Sequence, residues 1–203
     1  PRNFILRANA VWESASLNAD WNMSGVGFVF REKEGTNYYA AFLLLNGYVD
    51  IFRIEDNSAS LKHLAYKRYG KLDVPQGKAS LMLVVEEPQI LFFVNEKLIA
   101  QVKDESLLKE KFQSGRLNFA LASGTNKEYG LRVRLEQIGC WTIGDEKLPT
   151  TTPTSVSQKP SPTLDALTAQ GIQAFHNGDY AKAVALLNQA IESNIAYQFY
   201  EGY

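Results

Sequence analysis

Ten short apolar runs, most of them alternating apolar and polar residues, constrain this sequence more than any other feature. Turn residues such as Asn46-Gly47 separate the runs at short intervals along the first 143 or so residues. Alternation with a period of two is what a strand with one buried face requires. Ten such strands with hairpin-length links, and only a brief helix candidate at 103–112, predict an antiparallel β-sandwich. The predicted strands are 4–12, 25–30, 37–45, 48–54, 60–67, 79–86, 89–94, 97–102, 115–122 and 131–143.

Side-chain alternation divides the aromatic residues of the second, third and fourth runs between two faces. The phenylalanines of the second run, Phe28 and Phe30, share a face with Val26 and are predicted to lie in the core. Both faces of the third run are apolar, so this strand is predicted to be central. In the fourth run Tyr48 and Asp50 share one face, opposite the arginine that ends the run.

A ligand-binding surface is the best candidate for function in this part of the chain. Flat rings stack on the apolar faces of sugars, and Arg, Asn and Asp supply planar hydrogen bonds to hydroxyls. The residues predicted to form such a surface, on the concave face of one sheet, are Arg31, Tyr38, Tyr48, Asp50, Tyr66 and Tyr69. The alternative is that the tyrosines are half-buried with their hydroxyls at the solvent edge, and that Arg31 pairs with Glu32 or Glu34.

Charge and hydropathy argue against two classes of partner. The formal net charge is -1 and charges of both signs are well mixed, so nothing favours nucleic acid or an anionic membrane. No run of about 18 apolar residues occurs, so no membrane span is predicted in this fragment. The single cysteine, Cys140, has no intrachain disulfide partner and is predicted to be buried and inert, which leaves the compartment open.

Patterns that carry catalysis or hold metals are weak. Glycoside hydrolysis needs two carboxyls facing each other across a cleft, whereas the adjacent Glu86 and Glu87 point to opposite faces of a strand. The two histidines lie in different predicted domains, and His63 is predicted to be a surface or rim residue. We therefore predict no catalytic residue, no metal ligand and no cofactor. The loops 55–58 and 123–128 could offer oxygens to calcium, but neither has a recognised spacing.

The composition changes after the last strand. Residues 148–163 are almost wholly Pro, Thr and Ser, which predicts an extended linker. Apolar residues then recur at helical spacing, with a stop and restart at 176–179, where Gly178 can take the left-handed C′ position and Asp179 can cap the next helix. Because the chain starts without Met and ends abruptly, we expect it to be a piece of a longer protein. The predicted organisation is a sandwich at 1–145, a linker at 146–163 and a truncated helical hairpin at 164–203.

The helical hairpin carries a pattern of small and large residues known from helical repeats. The pattern comprises Gly171, Phe175, Gly178, Tyr180, Ala183, Leu187 and Ala190. In this it resembles a tetratricopeptide repeat, although Leu167 stands where that family has Trp and no Pro closes the repeat. The resemblance implies a protein partner, and an array that continues because one hairpin cannot cover its own apolar face.

Four motifs in the strand-rich part recur in one group of sandwich domains. They are SGVGFVFR (24–31), VNEKLIAQVKDE (94–105), SGRLNFALAS (114–123) and LEQIGCWTI (135–143). In order and spacing they resemble concanavalin A-like and laminin G-like jelly rolls, and most of all the bacterial 3-keto-glycoside hydrolase-like group. Glu96 departs from the pattern, because it stands where the hairpin usually has Gly, and we expect the turn to take another conformation. The clustered carboxylates of family 16 glycoside hydrolases are absent.

Two functions from different classes follow. The first is a non-catalytic recognition module, which binds glycan or polypeptide through the sandwich and protein through the helical repeat. The alternative is an enzyme, a glycoside hydrolase of the 3-keto-glycoside hydrolase-like group. A third hypothesis is an oligomerisation or spacer domain whose exposed sheet packs on another chain. The resemblance and the linker composition favour an extracellular or cell-surface location.

Overall fold

A computed structural model of the chain describes residues 2–14, 20–33, 36–56, 60–124, 130–143 and 164–200. The chain divides into two compact units, Pro1–Thr142 and Ile143–Tyr203. The predicted linker, 146–163, lies outside the described residues.

All ten predicted strands are present in the first unit, with ends within three residues of the predicted ones. They are β1 (Phe4–Ser14), β2 (Gly25–Lys33), β3 (Asn37–Leu44), β4 (Tyr48–Ile54), β5 (Leu61–Arg68), β6 (Gln76–Glu86), β7 (Gln89–Val94), β8 (Lys97–Lys103), β9 (Arg116–Ala122) and β10 (Leu131–Thr142). The brief helix candidate forms two 3₁₀ turns, Glu105–Leu108 and Glu110–Phe112.

The strands form two five-stranded antiparallel sheets packed face to face. The first sheet has the order β10-β1-β6-β7-β8, and the second sheet has the order β5-β4-β3-β2-β9. The position of β3 in the middle of the second sheet confirms the prediction made from its two apolar faces. The chain is therefore mainly β, as predicted.

Aromatic side chains join the two sheets across the core. Phe28 and Phe30 are fully buried, which confirms their predicted place. The Phe28 ring meets Phe92 of the first sheet edge-on with centroids 6.1 Å apart, and Phe30 meets Phe4 in the same way at 6.1 Å. Edge-to-face contacts of this kind stabilise a core beyond the area that they bury.

Two expectations for the first unit were wrong. The turn between β7 and β8 takes no alternative conformation: Asn95 and Glu96 both have positive φ, 47° and 67°, so Glu96 occupies a position that favours glycine. Cys140 is exposed rather than buried in the core, because β10 is an edge strand. Partial burial of its sulfur nevertheless raises the pKa of the thiol.

The second unit contains two helices, α1 (Leu164–His176) and α2 (Tyr180–Tyr200), which pack against each other. Gly178 has a φ of 77°, and the Asp179 N–H donates to the Ala174 carbonyl at 2.9 Å, which confirms the predicted left-handed end of the first helix. Asp179 also caps α2, since its Oδ1 accepts from the Lys182 N–H at 3.2 Å. The assignment of this pair to the tetratricopeptide family stays a prediction.

Candidate ligand-binding surface

The side of the second sheet that faces away from the core carries a group of aromatic residues. Phe28, Ala41 and Ile51 belong to the core between the sheets, so alternation turns the residues next to them outwards. Strand pairing sets Gly27, Phe42, Asp50 and Tyr66 in one row, and Val29, Ala40, Phe52 and His63 in the next. We call the outward-facing side chains of Phe42, Tyr48, Asp50, Phe52, His63 and Tyr66 the aromatic patch.

Tyr48 and Tyr66 form a stacked pair in the aromatic patch, with ring centroids 4.7 Å apart and planes 14° from parallel. Tyr48 is half-buried, whereas Tyr66 is 50% exposed. Asn46 in the β3–β4 turn bonds to both residues: its Nδ2 donates to the Tyr66 hydroxyl at 3.4 Å, and its Oδ1 accepts from the backbone N–H of Tyr48 at 3.1 Å. An exposed ring with a fixed orientation is what stacking on a sugar requires, because little side-chain entropy is then lost.

Asp50 and His63 supply polar groups beside the rings. His63 Nδ1 lies 2.9 Å from Asp50 Oδ1, and the side chains are 56% and 11% exposed, respectively. The His63 ring also meets the Phe52 ring at a centroid distance of 6.2 Å. When Nδ1 of a neutral His63 donates to the carboxylate, Nε2 is the acceptor. The pair can therefore exchange hydrogen bonds with hydroxyl groups placed over the rings.

Small residues flank the aromatic patch on the side of β2 and β9. Gly27 lies beside Phe42 in the same row, with Ala120 as its neighbour on β9. A Cβ at Gly27 would lie 2.0 Å from the Ala41 carbonyl oxygen, so only glycine fits there. The side chains that continue the row of Phe42 are thus small, so they leave this edge of the aromatic patch open to a ligand that lies flat.

The structure brings together three of the six residues predicted from the sequence to bind a ligand. Tyr48, Asp50 and Tyr66 belong to the aromatic patch, and Tyr38 lies on the same face in the row beyond Phe52. Tyr69 is not part of this face, because it follows β5 and packs against the core between the sheets. Its hydroxyl accepts a hydrogen bond from Asn95 Nδ2 at 2.8 Å.

Arg31 is the sixth predicted residue, and it also lies away from the aromatic patch. Simple alternation places it on the outward face, but the pairing of β2 with both neighbours shifts here and Arg31 has a φ of 58°. Such a bulge re-aims the side chain, which is 1% exposed. The guanidinium donates to the carbonyl oxygens of Phe112, at 2.6 Å, and of Arg2. Its carboxylate partner is Glu87, at 2.9 Å, and not a neighbour in sequence.

Arg53, the arginine near the end of β4, has its side chain on the inner side of the sheet, as predicted. Its Nη1 donates to Asp104 Oδ2 at 2.5 Å, and its Nη2 lies 3.2 Å from Glu55. Burial alone would raise the pKa of Asp104, but the Ser106 N–H and the charge of Arg53 outweigh it and hold this pKa below its usual range. Burial also raises the pKa of the Tyr39 phenol, which donates to Asp104 Oδ2 at 3.1 Å. Both arginines therefore anchor the segment with the 3₁₀ turns, and neither is offered to a ligand.

Sequence reasoning missed the ring contacts of three residues. His63 was taken as a surface or rim residue, and it is exposed, but its contact with Asp50 depends on β4 and β5 being neighbours. Phe42 and Phe52, with centroids 6.1 Å apart and nearly parallel rings, were not among the candidates. The signal was available in part, because alternation places Phe52 on the side of Tyr48 and Asp50.

A hollow on the first sheet is the main competing location. Trp12 is one of the residues that line it. This side chain is 1% exposed and donates its indole N–H to the Asp73 carbonyl at 3.0 Å. Charged side chains at its rim pair with each other, as Arg132 does with Glu13 at 3.8 Å. Since it presents neither an exposed ring nor an unpaired arginine from β1, β6 or β10, we prefer the aromatic patch.

Within the described part of the chain, no group of three or more His, Cys, Asp or Glu side chains gathers to hold a metal ion. Residues 57–58 and 125–128 of the two loops considered for calcium lie outside that part. Among the helices of the described residues, none is long and apolar enough to cross a membrane.

No known protein family matches the sequence, and no curated protein matches it either. Several solved structures, however, are similar to the first unit. The carbohydrate-binding module CBM66 from Bacillus subtilis is similar, with a TM-score of 0.52 and 14% sequence identity over 69% of this chain and 75% of that chain. The first unit has the fold of a jelly-roll β-sandwich. At this identity the likeness establishes the fold and nothing about the ligand.

Two further structures match less well. Sheep galectin-11 in complex with glycerol has a TM-score of 0.43 and 14% identity over 66% of this chain and 91% of that chain. The CBM40 of the Ruminococcus gnavus IT-sialidase, bound to α2,3-sialyllactose, has a TM-score of 0.41 and 14% identity over 65% of this chain and 75% of that chain.

Proposed function

We propose that the jelly roll is a non-catalytic glycan-recognition module that binds through the aromatic patch. The observation that carries the proposal is the stacked pair of Tyr48 and Tyr66, in which the Tyr66 ring is exposed and its hydroxyl is bonded to Asn46. The Asp50–His63 pair beside the rings supplies the hydrogen bonds that sugar hydroxyls need. The similar fold of CBM66, which its name describes as carbohydrate-binding, agrees with the proposal.

A glycosidase is less well supported. Two carboxyls about 5 to 10 Å apart are needed, and β3, β4 and β5 together contain one, Asp50. Release of reducing sugar from a broad polysaccharide panel tests this alternative. We expect none, and release that is lost in Asp50→Asn would favour the enzyme.

The proposal is tested with a glycan array and three proteins: the whole chain, Tyr66→Ala and Leu108→Ala. Leu108 is a matched control because it is 47% exposed and apolar but lies in the first 3₁₀ turn. We expect the whole chain and the control to bind the same glycans. Tyr66→Ala should bind them about tenfold more weakly, since one stacked ring contributes about 1 kcal/mol or more. Absence of binding, or binding that Tyr66→Ala leaves unchanged, would contradict the proposal.

Three finer hypotheses stay predictions. They are membership of the 3-keto-glycoside hydrolase-like group, protein binding by a tetratricopeptide array, and an extracellular or cell-surface location. Close packing of Gly171 against Leu187 is compatible with the helical repeat, because a Cβ at Gly171 would lie 2.9 Å from Leu187 Cγ.

A further inference from the structure

The edge strand β5, which contributes His63 and Tyr66 to the aromatic patch, also concentrates positive charge. Strand β5 contains the basic residues Lys62, Lys67 and Arg68 among its eight residues and has no Asp or Glu. The chain as a whole has a net charge of only -1, so this strand differs in sign from the average of the molecule. A local field of this kind attracts anionic ligands.

Most other arginines in the described part of the chain have carboxylate partners. Arg31, Arg53, Arg132 and Arg134 all form ion pairs. Arg68, by contrast, forms no ion pair with a described residue and is exposed. Its guanidinium is therefore available to a ligand.

Strand pairing places Arg68 at the edge of the stacked tyrosines. Arg68 lies directly opposite Tyr48 on the outward face, one row from Tyr66. Directly opposite residues, such as Arg68 and Tyr48, have Cβ atoms about 4.5–5.5 Å apart. A sugar ring stacked on Tyr66 would thus bring its substituents within reach of the Arg68 guanidinium.

The carboxylate of the aromatic patch does not oppose an anion strongly. Asp50 is 11% exposed at its side chain, and its Oδ1 is engaged by His63 at 2.9 Å. A bidentate guanidinium is the group best suited to a carboxylate, because its two parallel N–H groups match the two oxygens. From these observations we propose that the aromatic patch selects acidic glycans, with Arg68 binding a sugar carboxylate and Tyr66 stacking on the ring that carries it.

The inference rests on the proposed function, and the test separates the two by comparing acidic ligands with related ligands that lack the acidic group. The probes are sialyllactose with lactose, polygalacturonate with its methyl ester, and chondroitin sulfate with unsulfated chondroitin. Affinities of the whole chain, Arg68→Ala, Arg68→Lys and Arg132→Ala are measured at two salt concentrations. Arg132→Ala is the matched control, since it removes the same charge from an exposed position on the first sheet.

We expect the whole chain to bind at least one carboxylated probe about tenfold more tightly than its neutral partner. Arg68→Ala should abolish that preference and leave the neutral probe unchanged, Arg68→Lys should restore part of it, and Arg132→Ala should have no effect. Equal binding of both members of every pair overturns the inference and leaves the proposed function standing. Preference for the sulfated chondroitin alone overturns the choice of a carboxylate. Equal losses of affinity in Arg68→Ala and Arg132→Ala also overturn the inference, because they indicate unspecific electrostatic attraction. Absence of binding to every probe contradicts the proposed function itself.

Discussion

Replacing Asp104 by Asn tests the buried ion pair between Asp104 and Arg53, which anchors the segment with the 3₁₀ turns to β4. Asparagine has the same shape and keeps an oxygen for the Ser106 N–H, which donates to Oδ1 at 3.1 Å. The change removes the charge opposite Arg53 and sets an NH₂ group against two donors, Arg53 Nη1 at 2.5 Å and the Tyr39 hydroxyl at 3.1 Å. The free energy of unfolding should therefore fall.

The size of the loss follows from the surroundings of Arg53. Removing one partner of a fully buried pair costs about 3–5 kcal/mol. Arg53 keeps Glu55 at 3.2 Å in the variant, and Glu55 is 21% exposed, so water can reach part of the site. We expect a loss of about 2–3 kcal/mol, which for a chain of this size lowers the melting temperature by roughly 5–10 °C.

The assay is urea unfolding followed by tryptophan fluorescence, since all three tryptophans lie in the jelly-roll unit. Glu105→Gln is the control, because Glu105 pairs with Lys103 at the surface, with side chains 64% and 68% exposed, and should cost under about 0.5 kcal/mol. A loss as small as this for Asp104→Asn would refute the reasoning.

The same pair predicts how stability depends on pH. The depressed pKa of Asp104 means that the folded protein binds this proton more weakly than the unfolded chain does. Its contribution is therefore complete above the unfolded pKa of about 3.9 and is lost as the pH falls through the lower, folded pKa. Below about pH 4, Asp104→Asn should lose stability less steeply than the unmodified chain as the pH falls. Parallel curves for the two proteins would contradict this.

Two other substitutions test the backbone. Glu96→Gly should raise the free energy of unfolding by about 0.5–1 kcal/mol, because glycine adopts positive φ without strain; Asn95→Gly should not, since it removes the acceptor for the Ser80 N–H at 2.8 Å. Gly27→Ala should lower the free energy of unfolding by about 1–3 kcal/mol or more, because its methyl would meet a β3 carbonyl. Gly130→Ala should lower the free energy of unfolding far less, because the space around Gly130 is open. Equal effects within either pair would show that the backbone geometry is not the cause.

The strand pattern was predictable because alternation and turn residues are local properties. Phe28 and Phe30 are examples: their positions along one strand are sufficient to assign them to the core. The helix end at Gly178 was predictable for the same reason, since a left-handed residue followed by a capping Asp is a local signal.

Arg31 shows where local reasoning ends. A bulge shifts the pairing of β2 with two neighbours at once, and its partner Glu87 is 56 residues away in sequence, so neither can be inferred from alternation. The contact between Asp50 and His63 required the order of the strands, and the pairing of Tyr48 with Tyr66 required their register. These are long-range properties of the sheet.

The most direct test of the account is to map the glycan on the protein by amide chemical-shift perturbation. The ¹⁵N-labelled chain is titrated with the tightest-binding glycan from the array. We predict that the largest shifts cluster on β4 and β5 around Asp50, His63 and Tyr66. Shifts that cluster instead around Trp12 and Arg132, at the hollow on the first sheet, would contradict the claim that the aromatic patch is the binding site.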